Sequence, residues 1–264
     1  MTDNQIGTIA WARQSGGRLT AAERDRIQRA VVEQQARSMA AASDGMRDTI
    51  RKLDLNAIPR PDSAIARKAE DYAMALSPHY LLNHCHRTYL WGALLAQADG
   101  GPIEDAELLY VASLLHDLGV VDAHFGKNQR AHCFAVEGAL AAETLLNQHG
   151  MEPERTETVA DAISLHINVL GVGAEHGQTA QYLAAGARCD VFGERAREIP
   201  KSDAREVLIR YPGLGVRSDF SAFLEQEAAL RPEARMAHNR ALMTANGPIP
   251  PVFWWQEFEE EMAG

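Results

Sequence analysis

The sequence has little of what marks several common protein classes. Its 264 residues include only three cysteines, Cys85, Cys133 and Cys189. That odd number, without the CxxC spacing of a zinc knuckle, does not support a disulfide framework and leaves reduced, mostly buried thiols as the better reading. No apolar run approaches the roughly 20 residues that cross a bilayer, and the first residues lack the basic-then-apolar order of a secretory signal. The expected location is therefore the cytoplasm, without a membrane partner. Basic residues form no long run and the formal net charge is −10, so most of the surface repels an extended phosphate backbone and nucleic acid is not an expected partner. Aromatics are 6% of the chain, and no stretch alternates at the strand period, repeats or falls into low complexity.

What is present is 46% apolar residues, rich in alanine, with 23% charged, a composition for close-packed helices around a sizeable core. The expected fold is all-α: a helical bundle over 61–200, a helical extension over 1–60, and C-terminal helices with an aromatic tail over 201–264. Thr20 and Glu23 have capping-box spacing and predict that the first helix opens there. Pro59 and Pro61 close this extension. A second helix is predicted after Asp62, and a third after Ser77, with Ser77 as cap and Pro78 in the first turn, ending near Gly100 and Gly101. The stretch 104–115 is apolar almost all round, as for a helix at the centre of a bundle. Further helices are predicted over 133–149, 153–167, 179–192, 203–210, 219–230 and 233–245, with a flexible loop at 171–174. The prolines at 248, 250 and 251 predict an extended segment leading to Phe253, Trp254 and Trp255, which docks on the body or on another subunit.

The central helix delivers His116 and Asp117 at its C-terminal end, just before Gly119. Two polar residues at the end of an apolar helix sit next to the core, where unpaired polar groups are costly. Metal ligation and hydrogen bonding within the core both meet that cost, and the dipeptide does not separate them.

The order of motifs does more. Asn83-His84-Cys85-His86-Arg87, Leu115-His116-Asp117-Leu118-Gly119 with Asp122, Phe134-Ala135-Val136-Glu137-Gly138-Ala139, Ala162-Ile163-Ser164-Leu165-His166, and Ala185 through Gly193 around Asp190 occur in sequence. This order resembles the HD superfamily and, within it, the cyanamide-hydratase-like branch, over about residues 78–193. The resemblance implies an HD-type metal-binding domain in which His84, His116, Asp117 and Asp190 hold one divalent metal. Zinc is the first candidate, with iron, manganese or nickel as alternatives. It implies His166 and Asp122 as proton-transferring groups, although a satisfied core histidine and a loop-capping carboxylate are the plainer roles for the two. Arg87, Lys127, Phe134 and Glu137 are the candidate substrate-binding residues. Dinuclear members place a histidine four residues before the glycine of the following helix; Phe134 stands there, and His132 lies about 200° away if the helix continues, so a single metal is expected. Cys133 and Ala135 beside Phe134, and Cys85 beside His84, depart from the branch and are expected to shape the pocket.

The implied function is that of a mononuclear hydratase or hydrolase in which water on the metal attacks a small neutral substrate that is cyanamide-, nitrile- or amide-like. Two alternatives stand beside it. One is an HD phosphohydrolase of nucleotide monophosphates, with Arg87, Lys127 and Arg130 on the phosphate; Arg87 could equally brace Asp117 or Glu137. The other is a non-catalytic, metal-containing binding module. The expected partners are a small-molecule substrate and, in a homo-oligomer, further copies of the chain.

Overall fold

A computed structural model describes residues 6–41, 53–213, 216–245 and 255. Eleven α-helices run along these residues: α1 (Ile9–Ser15), α2 (Ala21–Ala41), α3 (Ala64–Leu76), α4 (His79–Asp99), α5 (Ala106–Leu115), α6 (Phe134–Gln148), α7 (Pro153–Leu165), α8 (Gln178–Phe192), α9 (Lys201–Arg210), α10 (Val216–Leu230) and α11 (Arg235–Ala245). The described residues form no strand; an isolated antiparallel bridge joins Arg18 to Ala234. No described helix is long and apolar enough to cross a membrane.

The expected all-α bundle is present, and local signals place most of its boundaries. The Thr20 hydroxyl accepts from the Glu23 amide while the Glu23 carboxylate accepts from the Thr20 amide at 2.7 Å, a closed capping box at the start of α2. The chain is already helical before this point. α1 begins at the Thr8 cap, ends at left-handed Gly16 and buries Ile9, Trp11 and Ala12. Seven residues are too few to show a period, which is why this helix was not predicted. Ile6, Ile9, Trp11, Leu19 and Ile27 join the same core as the central helices. At α4 the cap is Pro78, without a side-chain hydrogen bond, and Ser77 instead closes α3; the predicted Ser77 cap is corrected accordingly. Segment 247–251 with Phe253 and Trp254 lies outside the described residues. Trp255 does dock on the body: it is buried, and its indole N–H donates to the Asp190 carbonyl at 3.1 Å.

Two glycine pairs bring the centre together. A side chain at Gly186 on α8 would meet the Thr88 carbonyl at 2.1 Å, and one at Gly92 on α4 would meet the Tyr182 carbonyl at 2.5 Å, so both glycines are needed for these two backbones to touch. A side chain at Gly119 would run into the Phe134 carbonyl, and one at Gly138 would meet the His116 carbonyl at 2.9 Å. The second pair seats the first turn of α6 on the turn that follows α5. Between these close approaches, α5 is buried from Leu108 to Leu115, and its last turn opens on the point where α4, α7 and α8 converge.

Candidate metal centre

α5 and α7 end in the same way. His116 and His166 each occupy the residue after the last helical turn, and each directs Nδ1 at the carbonyl three residues back: Ser113 O at 2.7 Å and Ile163 O at 2.6 Å. A helix C-terminus leaves such carbonyls unpaired. A carbonyl only accepts, so Nδ1 carries the proton in both rings and Nε2 is left with its lone pair. His84, in the second turn of α4, reaches the same state from another side. Its Nδ1 lies 2.7 Å from Asp190 Oδ2, a carboxylate that also only accepts, and its Nε2 faces inward.

The inward atoms form a triangle. His84 Nε2 and His116 Nε2 are 3.2 Å apart, and Asp117 Oδ2 is 3.5 Å from the first and 3.4 Å from the second. All three residues are 2% exposed or less. Two lone pairs and a carboxylate oxygen at this separation repel one another, and neither Asp117 oxygen has a hydrogen-bond partner. A buried charge in that state calls for a counter-charge. Donor atoms about 2.1 Å from a single ion in tetrahedral array lie about 3.4 Å from one another, so the residues present fit a divalent metal, and His84, His116 and Asp117 form a group that can hold one. Burial lowers the pKa of His116 despite the pull of Asp117, which keeps its imidazole neutral. Burial holds the Cys85 thiol, 3.8 Å from His116 Nδ1, well above the usual range, so it stays protonated and outside the donor set.

Asp190, the fourth expected ligand, is not among the three converging donors and lies behind His84. Burial pushes its carboxyl upward, but the charge of Arg87 and the hydrogen bonds from His84 and Arg87 more than reverse that and hold it far below the usual range. Oδ1 accepts from Arg87 Nε at 2.8 Å and Trp91 Nε1 at 2.7 Å; Oδ2 accepts from His84 and from Arg87 Nη2 at 2.9 Å. Asp190 orients His84, and no lone pair is left facing inward. Arg87 is correspondingly engaged by Asp190. It is fully buried on Asp190, donates to the Tyr211 carbonyl at 3.0 Å and lies 4.6 Å from the Trp255 ring centre. A single sequence does not reveal that the Arg and Asp of two separate motifs form one ion pair.

The remaining candidates divide. His166 is buried, with Nε2 3.8 Å from Asp117 Oδ1 and its ring 4.9 Å from that of His116. Burial and the neighbouring His116 drive its pKa down to about 3. Phe134 is fully buried, its ring 5.9 Å from His166 and 5.5 Å from Phe223. Glu137 accepts from Arg231 at 2.9 Å and from the Gly126 amide at 3.2 Å, tying the loop after the centre to the residue that follows α10. Asp122 and Lys127 are exposed on that loop, whereas the triangle is buried. His132 lies outside the cluster against Arg18, at 3.3 Å. Sequence reasoning missed Phe220 and Phe223, which α10 brings over the centre, Phe220 6.1 Å from His84 and Phe223 5.2 Å from Phe125. The Phe220-to-Phe223 spacing was a visible helical pair, but not its destination.

Comparison with known proteins agrees with this geometry. Residues 81–203 match the family model described as HD domain. Cyanamide hydratase DDI2 and cyanamide hydratase DDI3 of Saccharomyces cerevisiae are each 32% identical over 121 residues, covering 44% of this chain and 52% of theirs. The chain therefore spans about half the length of the curated relatives it matches. The matched region holds His84, His116 and Asp117 at the triangle, His166 beside it and Asp190 behind it, so the part of the chain that carries the centre is similar to the HD domain and to these cyanamide hydratases.

Proposed function

We propose that the protein is a metal-dependent hydratase or hydrolase acting on a small neutral substrate with a nitrile-, cyanamide- or amide-like carbon, and that it works in the cytoplasm, where its three buried thiols stay reduced. The reading rests on one observation above all, the three converging donors with Asp117 unpaired among them. A divalent ion held there supplies a Lewis acid that acidifies water and polarises the electrophile.

The chain's own residues supply the rest. Asp117 faces the triangle through Oδ2 and leaves Oδ1 toward His166. His166 presents an unprotonated Nε2, its Nδ1 proton being fixed on the Ile163 carbonyl, so it accepts a proton at Nε2 and returns it to the product nitrogen. Phe134, Phe220 and Phe223 wall the centre with apolar surface, which excludes bulk water and favours an uncharged substrate. Arg87, the cation nearest the centre among those considered for phosphate, is spent on Asp190, and Lys127 and Arg130 are exposed. This arrangement disfavours the nucleotide phosphohydrolase alternative.

Phe134 at the second-site position supports one metal per chain, with zinc as the first choice. The test combines metal analysis of the purified protein with turnover of cyanamide, small nitriles and nucleoside monophosphates. One ion per chain and amide or urea-type product are expected. Phosphate release from the nucleotides, or two irons per chain with oxygen consumption, would overturn the reading.

A further inference from the structure

A cavity of about 270 Å³, lined by none of the three triangle residues, lies against the segment that follows α7, from Asn168 to Gly171. Ile6, Ile27 and Ala30 form an apolar wall, and Arg235, Asn168 and Asn239 form the polar one. Arg235 is 1% exposed, and among the described residues no carboxylate pairs with it. Its Nη1 donates to Asn168 Oδ1 at 2.7 Å, its Nη2 donates to the Ser164 carbonyl, its guanidinium lies 5.4 Å from the Trp11 ring centre, and Nε has no partner. Every other fully buried charge near the centre has an opposite charge or faces the metal triangle; this one faces a cavity.

A guanidinium out of water without a counter-charge is among the costlier arrangements in a protein interior. Asn239 adds to it: its Nδ2 donates to the Ile167 carbonyl at 2.6 Å, while its Oδ1, also buried, has no partner. The carboxylate on the cavity lining, Glu175, is 54% exposed and turned to His176 at 3.9 Å, so it does not neutralise Arg235. A cation at one end, an apolar wall at the other and room for several heavy atoms between them describe a receptor for an amphiphilic anion. From these residues we infer that the cavity binds a small monocarboxylate, the carboxylate at the Arg235 end and a short aliphatic tail against Ile6, Ile27 and Ala30. This site is separate from the metal centre and stands whether or not the proposed reaction is right.

The probes are hexanoate, 1-hexanol and inorganic phosphate, titrated against the metal-loaded full chain by calorimetry and thermal unfolding. Hexanoate is expected to bind and raise the midpoint, and the alcohol and phosphate to do neither at equal concentration. Ala30→Trp, which fills the apolar wall from a half-buried position, is expected to weaken hexanoate by about tenfold or more while metal content and unfolding midpoint are kept. Arg235→Gln is expected to abolish binding; should that variant fail to fold, Ala30→Trp decides. Equal binding of hexanol and hexanoate, binding of phosphate as tight as that of hexanoate, undiminished binding in Ala30→Trp, or no binding to the wild type would each overturn the assignment.

Discussion

Asp190 and Asp117 are two buried aspartates on either side of His84, and the chain treats them in opposite ways. Around Asp190, α4 and α8 gather a guanidinium, an indole N–H and an imidazole N–H, and every oxygen is used. Around Asp117, the ends of α5 and α7 gather imidazoles whose protons have already been given to backbone carbonyls, and neither oxygen is used. Burial alone therefore does not mark a ligand. What separates a bracing carboxylate from a metal-facing one is whether its neighbours arrive as donors or as lone pairs.

That contrast is open to direct attack, and the largest effect is expected on the metal. His116→Ala or Asp117→Ala removes one of three converging donors and is expected to abolish metal content and turnover together, checked by elemental analysis and assay. Full metal occupancy in both variants would return the pair to a core role. The two aspartates should also part company in the metal-free protein. Asp190→Asn leaves Arg87 as a buried, unpaired cation and is expected to cost about 3–5 kcal/mol by chemical denaturation. Asp117→Asn removes a charge that nothing in the metal-free protein compensates, and is expected to leave stability unchanged or higher. Equal losses at the two positions would mean that the distinction drawn between them is wrong.

Next in size is His166→Ala. The side chain contributes a proton acceptor beside the triangle rather than one of its three close atoms, so the metal should remain while turnover falls about 100-fold. Loss of metal in that variant would move His166 into the ligand set. The smallest effect belongs to a carboxylate far from both aspartates. Burial raises the pKa of Glu23, but hydrogen bonds from the Thr20 hydroxyl and amide and from Trp11 outweigh it and leave the folded value lowered. Its contribution is therefore present above the ordinary glutamate range and is lost as pH falls through the lower folded value. Glu23→Gln is expected to cost about 1 kcal/mol at neutral pH, a deficit that denaturation curves should show closing in acid. A deficit that stays constant with pH would show that the ionised form contributes nothing.

Much of this was legible along the chain because it depends on near neighbours. The helices around the centre follow from apolar spacing and from stop signals such as Gly100, Gly150 and Gly193, and His116 and His166 fall at helix ends that the same signals locate. Helix α1 escaped because seven residues carry no period. The Ser77 cap failed because Pro78, whose dihedral suits an extended residue as well as a first helical turn, took the cap position itself. Asp122, Lys127 and Glu137 shared a stretch with the motif, but proximity in sequence did not place the first two inside, and Glu137 was drawn instead to Arg231, 94 residues away.

By itself the sequence determined that the protein is helical and where most helices start and stop, and it singled out His84, His116, Asp117, Asp190, His166 and Asp122 as the residues to watch, since periodicity, capping and motif order act over a few residues at a time. Only the tertiary structure decided which nitrogen of each histidine faces inward, that Asp190 is consumed by Arg87 and Trp91 while Asp117 is left bare, and that α10 brings two phenylalanines over the centre. Those outcomes depend on hydrogen bonds and close approaches between helices roughly 100 residues apart in the chain. A proton shared between distant helices leaves no local trace in the order of the residues.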